Sequence, residues 1–155
     1  MEIKSGASNT FLRDVYLQFD LDEISEISSA RLLVYGHAQT SMNLGAYETN
    51  STTWSENNIT WDNRPARSNL IATSRITQTP GWVELDITAL AQDRTGRLLT
   101  VVLSNPEAIN RTAYISSEEA GAGELQARLV IERGTFAGNQ TYYICLLYTS
   151  PSPRD

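Results

Sequence analysis

Cysteine and histidine are almost missing from this sequence. The single cysteine, Cys145, cannot form a disulfide within the chain or build a cysteine-based zinc site. The single histidine, His37, has the strand parity of Leu33 and Tyr35, which favours a packed or rim position over a catalytic one. Because a hydrolase triad needs a base beside its nucleophile, these two shortages argue against triad chemistry.

Long apolar runs and basic stripes are missing as well. No segment contains the roughly eighteen consecutive apolar residues that a membrane-spanning helix needs. The formal net charge is −6, and no basic stripe is present that would release counterions from nucleic acid phosphates. We therefore expect neither nucleic acid nor a membrane to be a partner of this chain.

Acidic residues are plentiful, but no pair among them stands out. Asp and Glu total 18, so short-range pairs arise by chance. A glycosidase needs two carboxyl groups on either side of the scissile bond, and nothing around the sequence pairs singles one out. We predict a domain that is not an enzyme. The pairs considered are Glu84 with Asp86, Asp20 with Asp22, and Glu118 with Glu119.

What the sequence does contain is a rhythm of short strand patterns. Val15, Leu17 and Phe19 alternate with more polar residues, which is the period of a half-buried strand. Residues 30–37 are apolar on both faces and are expected inside a sheet. Many short strands of this kind predict an all-β fold, an antiparallel β-sandwich of the jelly-roll type. The predicted strands are 13–20, 30–37, 42–48, 70–77, 81–87, 97–103, 111–117 and 126–132.

Three smaller features complete the pattern. One short helix is predicted near residues 88–94, with Thr88 suited to cap its start and Gly96 lying beyond its end. Gly45 marks an expected β-bulge. Residues 51–67 form a connection too long for a tight hairpin. Compact loops bury their own aromatic side chains, so we predict that its two tryptophans, Trp54 and Trp61, are structural plugs.

Three segments of the sequence match one known domain pattern in their order and spacing. Residues 9–21 place an Arg-Asp pair before Leu-Gln-Phe-Asp-Leu, and residues 54–66 read Trp-Ser-Glu-Asn-Asn-Ile-Thr-Trp-Asp-Asn-Arg-Pro-Ala. Residues 117–120 read Ser-Glu-Glu-Ala and are followed by a closing strand at 127–131. Over about residues 2–132, the chain resembles the DNRLRE domains, which are related to carbohydrate-binding module family 96. The double-tryptophan segment is the most specific part of the likeness.

The resemblance implies a jelly roll that binds polysaccharide and tethers a larger secreted protein to its glycan. Such modules accompany alginate lyases and other polysaccharide-active enzymes. An acidic glycan such as alginate is therefore an implied ligand, and covalently linked catalytic or surface domains are implied partners. The implied location is extracellular or at a bacterial cell surface, with any signal peptide outside this stretch. Similar domains in large surface proteins leave open a structural or adhesive spacer.

Two departures qualify the likeness. Glu118 stands where the family usually has an arginine, which removes a cation that could have met an acidic sugar. The net charge of −6 also weighs against a polyanionic ligand unless a local basic face exists. The second departure is at the N-terminus, where the first strand of the family would precede Glu2, so we expect the domain at 1–133 to lack its first strand.

Sugar binding calls for exposed aromatic rings that stack on a pyranose, together with planar polar or basic groups. Arg64 and Arg67 are further basic groups beside the main candidates. The candidate ligand-binding residues are Lys4, Tyr35, Tyr47, Arg75, Trp82, Arg111 and Tyr114.

Two structural assignments accompany these candidates. Arg13 is predicted to pair with Glu119 or Asp14, because an unpaired guanidinium near the core would be costly. Jelly-roll modules often hold a structural calcium ion, for which Asp20 and Asp22 are the candidate ligands. No cofactor is required by the prediction.

The C-terminal residues 145–155 stand apart from the rest. Their sequence, Cys-Leu-Leu-Tyr-Thr-Ser-Pro-Ser-Pro-Arg-Asp, can be back-translated into a transposase sequencing adapter, and Ile144 supplies the adapter's first base in frame. We predict a metagenomic fragment in which 1–133 is the domain, 134–144 a linker remnant and 145–155 a non-native tail. Without Cys145 the domain has no cysteine, which agrees with secretion.

Overall fold

Two antiparallel sheets packed face to face form the protein, as a computed structural model shows. The structure describes residues 1–5, 14–49, 54, 58–60, 62–107, 109–116, 124–133, 140–144 and 147–149. The predicted all-β sandwich with one short helix is confirmed. The elements are β1 (Glu2–Ser5), β2 (Val15–Asp20), β3 (Ser29–Ala38), β4 (Met42–Glu48), β5 (Leu70–Ile76), β6 (Gly81–Asp86), α1 (Thr88–Asp93), β7 (Leu98–Ser104), β8 (Arg111–Ile115), β9 (Arg128–Arg133), β10 (Gln140–Ile144) and β11 (Leu147–Thr149).

The six-stranded sheet is organised around β3. Its order is β1-β8-β3-β9-β10, and β6 also pairs with β3. Strands β9 and β8 pair with residues 29–33 and 36–38 of β3, while β6 pairs with residues 31–36 along the opposite edge. The prediction that residues 30–37 lie inside a sheet is therefore confirmed. A Cβ at Gly36 would collide with the backbone carbonyl oxygen of Tyr114, so the pairing of β8 requires glycine there.

The five-stranded sheet has the order β11-β2-β7-β4-β5. The predicted bulge in β4 falls between Ala46 and Tyr47, just after the expected Gly45. Between the two sheets, inward-facing residues of strands β1 to β9 form one apolar core among the described residues. Leu17, Leu32 and Leu44 are among its fully buried side chains.

The helix α1 begins differently from the sequence expectation but ends before Gly96 as predicted. Thr88 is its first residue rather than its cap, and Ile87, in the cap position, makes no side-chain hydrogen bond. The backbone N–H of Thr88 donates instead to Oδ1 of Asp86 at 3.0 Å. Gly96 follows the helix with φ of 75°, the left-handed conformation that favours glycine. Among the described residues no helix is long and apolar enough to span a membrane.

Strand β2 corrects the expectation of a half-buried strand. Its core side is apolar as predicted, but Tyr16 and Gln18 on the other side are also buried, at 1% and 8% exposure. The cause is tertiary. Described residues of the connection between β4 and β5, including Trp54 and Ile59, lie against this outer side, and the carbonyl of Pro65 accepts a hydrogen bond from the Tyr16 hydroxyl.

Three strands lie outside the predicted set. Strand β1 pairs with β8, β10 pairs with β9, and β11 pairs with β2. Residues of the predicted linker remnant and tail therefore occupy sheet edges. An open edge accepts any strand-forming segment whatever its origin. The assignment of 145–155 to an adapter concerns the coding DNA and stays a prediction.

Candidate functional site

The outer side of the six-stranded sheet carries a group of aromatic side chains. Along β3 the odd-numbered residues are partly exposed and the even-numbered ones buried, as strand geometry dictates. Tyr35 and His37 therefore point outward, with Trp82 opposite Tyr35 and Tyr114 opposite His37 on the flanking strands. We call Tyr35, His37, Trp82, Tyr114 and Arg128 the aromatic face.

The rings of the aromatic face are in contact as two pairs. The centroids of Tyr35 and Trp82 are 5.4 Å apart with an interplanar angle of 75°, an edge-to-face arrangement. Those of His37 and Tyr114 are 5.3 Å apart and tilted by 30°. Trp82 remains 44% exposed. A large indole is thus available to solvent and also held by its neighbour.

Arg128 holds Trp82 from another direction. Its guanidinium carbon lies 5.2 Å from the centroid of the indole, within the range of a cation–π interaction. Its Nη2 atom donates to the carbonyl oxygen of Glu124 at 2.6 Å. The sequence candidates did not include Arg128, because its approach to Trp82 depends on β9 and β6 lying on opposite edges of β3. No local pattern contains that information.

Charged side chains continue the same outer side beyond the rings. Arg31 lies 3.5 Å from a Glu84 oxygen and 3.7 Å from a Glu132 oxygen. Asp86 is the next outward residue of β6. Hydrogen bonds from the Thr88 hydroxyl and backbone N–H hold the pKa of Asp86 below its usual value, and nearby Arg31 adds to the effect.

Polar groups border Tyr114 and β1. Nε2 of Gln39 donates to the Tyr114 hydroxyl at 2.9 Å. Lys4, on β1, is aligned with Thr112 and shares the outward parity of Tyr114. The structure therefore places four of the sequence candidates on one sheet surface: Lys4, Tyr35, Trp82 and Tyr114.

The remaining three candidates lie elsewhere. Tyr47 is on the outer side of the five-stranded sheet, with the Arg67 guanidinium 4.7 Å above its ring. Arg75, exposed on β5, is aligned with Asn43 of β4. Arg111 begins β8, three residues before Tyr114 and on the opposite parity, and its Nη1 donates to the Asn110 carbonyl at 3.0 Å.

The outer side of the five-stranded sheet is covered over β2, β7 and β4. Tyr16, Ile59 and Val102 form a small apolar cluster, against which Tyr47 and Trp54 pack. We call these five residues the covered face. The rings of Tyr16 and Trp54 meet edge to face at 5.8 Å, and the indole N–H of Trp54 donates to the Thr100 hydroxyl at 3.1 Å.

Electrostatics at the covered face follow from its burial. Loss of solvent raises the pKa of the Tyr16 phenol, the carboxylate of Asp14 raises it further, and Arg64 and Arg67 oppose the change. Asp14, 7% exposed, lies 3.6 Å from Nη1 of Arg67. Arg67 also donates to the Ser104 hydroxyl.

Three of the structural assignments cannot be compared with the fold. Arg13, Trp61 and Glu119 lie outside the described residues. The predicted ion pair of Arg13 with Glu119 or Asp14 therefore stays a prediction. For Asp14, the described cationic neighbour is Arg67.

The two calcium candidates are neighbours in a turn. Asp20 and Asp22 are both exposed, and Oδ1 of Asp20 accepts the backbone N–H of Asp22 at 2.9 Å. Within the described ranges, no group of three or more His, Cys, Asp or Glu residues is placed to hold a metal ion. Structural calcium stays a prediction, which the melting temperature with and without a chelator would test.

The fold and the aromatic face together define a β-sandwich module that presents a ring surface on one sheet. The model of carbohydrate-binding module family 96 matches residues 1–133. The chain belongs to carbohydrate-binding module family 96. No curated protein matches the chain.

Proposed function

We propose that this chain binds a polysaccharide through the aromatic face without cleaving it. One observation carries the proposal: Trp82 is 44% exposed although Tyr35 and Arg128 both contact its ring. A pyranose presents an apolar C–H surface, which packs well on an exposed indole. Membership in a carbohydrate-binding family supports the same ligand class.

The rigidity of the ring favours binding. Binding costs free energy when loose side chains must be ordered against the ligand. Trp82 sits within a strand and is held edge to face by Tyr35 at 5.4 Å, so little further ordering is required. Neighbouring polar groups, including the Tyr114 hydroxyl and Glu84, are placed to meet sugar hydroxyls.

The acids beside the rings support a non-catalytic role. A glycosidase needs one carboxyl group with a raised pKa to protonate the leaving oxygen. The pKa of Asp86 is shifted downward by Thr88, and Glu84 is an ion-pair partner of Arg31. The environment of Asp86 therefore favours the charged carboxylate over the protonated acid.

The proposal includes a tethering role outside the cell. A module of this kind, covalently attached to a larger secreted or surface protein, raises the effective concentration of its partner on the polymer. The alternative, a structural or adhesive spacer, requires no exposed ring surface. The exposed Trp82, in contact with Tyr35 and Arg128, favours binding over that alternative.

Affinity electrophoresis of the full chain tests the proposal. The gels contain alginate, ulvan, pectin or one of several neutral glycans. We expect retardation on at least one glycan, loss of that retardation in Trp82→Ala, and no release of reducing ends. Leu70→Ala is the matched control, because Leu70 is similarly exposed, at 46%, but lies on the other sheet. Unretarded migration on every glycan would overturn the proposal.

A further inference from the structure

We propose that the glycan bound at the aromatic face is uncharged. The inference rests on the proposed function and specifies its ligand class. The family resemblance points to an acidic glycan such as alginate, whereas the charges around Trp82 favour a neutral one. Three features of the six-stranded sheet carry the argument: the commitment of its arginines, the position of its carboxylates and the distance to Lys4.

Arg31 is already matched by acids of the protein. Its Nη1 atom is 3.5 Å from Glu84 and its Nη2 atom 3.7 Å from Glu132. Recognition of a uronate by arginine uses the planar fork of N–H groups. In Arg31 both terminal nitrogens of that fork already face carboxylates. A sugar carboxylate would have to displace them, leaving the protein's own acids without their cation.

The guanidinium of Arg128 is held by contacts with an aromatic ring and a backbone carbonyl. Its guanidinium stacks at 5.2 Å from the Trp82 centroid, and its Nη2 donates to the Glu124 carbonyl at 2.6 Å. Turning the fork toward a ligand carboxylate would give up both contacts. Arg128 therefore acts as a support for the indole ring.

Carboxylates lie beside the stacking ring itself. Trp82, Glu84 and Asp86 are successive outward residues of β6, each roughly 7 Å from the next along the strand. The Glu84 side chain is 52% exposed, and the downward-shifted pKa of Asp86 keeps it charged. A polyuronate running over Trp82 along β6 would bring its charges close to these carboxylates. Hydroxyl groups of a neutral sugar would instead donate hydrogen bonds to them.

Lys4 is too far from the ring to change this balance. It lies on β1, which is separated from β6 by β8 and β3, a distance of about 14 Å at the usual strand spacing. A sugar stacked on Trp82 therefore does not meet the Lys4 ammonium group. The described side chains around Trp82 present hydrogen-bond acceptors and matched cations, which is the chemistry of an uncharged pyranose polymer.

Isothermal titration calorimetry with the full chain tests the inference. The probes are neutral oligosaccharides from β-glucan, xylan and mannan, and acidic ones from alginate and pectate, at about 50 and about 500 mM NaCl. We expect a neutral probe to bind with an affinity that changes less than about twofold with salt. Trp82→Ala should lower that affinity at least about tenfold, and Leu70→Ala should leave it unchanged.

Glu84→Gln separates charge from shape. This change keeps the size of the side chain and removes its charge. We expect it to raise the affinity for the acidic probes relative to that for the neutral probe, because one carboxylate beside the ring loses its charge. Acidic probes that bind as tightly as neutral ones, or more tightly and with salt-dependent loss, would overturn the inference while the proposed function stands. A chain that binds no probe, and is not retarded by any polysaccharide in the gels, would overturn both.

Discussion

The outer sides of the two sheets use the same kinds of residue for opposite purposes. On the six-stranded sheet, Trp82 and Tyr35 meet edge to face at the surface. On the five-stranded sheet, Trp54 and Tyr16 meet in a similar geometry, but Tyr16 is 1% exposed. The difference is the connection between β4 and β5, part of which lies against the five-stranded sheet.

The two arginines that lie over aromatic rings show the same contrast. Arg67 stacks on Tyr47 and at the same time approaches Asp14 and the Ser104 hydroxyl, so it ties a connection to a strand. Arg128 stacks on Trp82 at the surface. An Arg–aromatic contact therefore indicates neither a core nor a binding site by itself. What covers the contact decides its role.

The largest effect on stability is expected at the centre of the covered face. Tyr16→Ala removes a fully buried ring and should lower the free energy of unfolding by about 3–5 kcal/mol. Tyr16→Phe keeps the ring but leaves the Pro65 carbonyl without its donor at 2.7 Å, and should cost about 1–3 kcal/mol. Denaturant unfolding measures both. A loss for Tyr16→Ala no greater than that for Tyr35→Ala would erase the contrast between the two faces.

A smaller effect is expected at the ion pair beneath the connection. Arg67→Met leaves the buried carboxylate of Asp14 without its described cation. The expected loss is about 1–2 kcal/mol, less than for a fully buried pair because the Arg67 side chain is 40% exposed. Arg75→Met is the control on the same sheet, with a change within about 0.5 kcal/mol. Equal changes in unfolding free energy for the two variants would contradict this account.

A still smaller stability change is expected at the aromatic face. Trp82→Ala should alter the free energy of unfolding by about 1 kcal/mol or less, since the ring is already 44% exposed, while glycan binding is lost. Trp54→Ala should instead lower the free energy of unfolding and leave glycan binding unchanged. Thermal melts and affinity gels on both variants give the comparison. A large stability loss in Trp82→Ala would mean that its ring is structural.

The smallest effect is expected from pH at the edge of the aromatic face. The pKa of Asp86 lies below its usual value in the folded protein, mainly because of the Thr88 hydroxyl. Its stabilising contribution is therefore complete above the unfolded pKa and is lost as pH falls through the folded pKa. Thr88→Val should raise the Asp86 pKa toward normal, as measured by NMR titration. An unchanged titration would show that the hydroxyl is not the cause.

Strand identity was predictable because it depends on local alternation. The eight predicted strands all appear, and residues 30–37 lie inside a sheet, although only one of their two faces is buried. The helix near residues 88–94 and the left-handed Gly96 were also predictable from short-range signals. The cap was misassigned although the interaction is local, because the carboxylate of Asp86, two residues before Thr88, accepts the backbone N–H that a Thr88 cap was expected to serve.

The candidate site was predictable in its residue types and only partly in its membership. Trp82, Tyr35 and Tyr114 could be proposed from aromatic character and strand parity. Tyr47 has the same character, yet it packs on the covered face. Arg128 could not be proposed, because its contact with Trp82 passes over the central strand of a sheet whose order is not written in local patterns.

The sequence by itself determined the all-β class, the position of most strands and the side of β2 that faces the core. These follow from a two-residue period and from turn residues, which act over short stretches of chain. The tertiary structure alone decided which outer side is covered and which is open. That choice depends on contacts between distant segments, such as the bond from Tyr16 to Pro65 across 49 positions. As a consequence, Trp54 packs against the five-stranded sheet, whereas Trp82 on the six-stranded sheet remains exposed to a ligand.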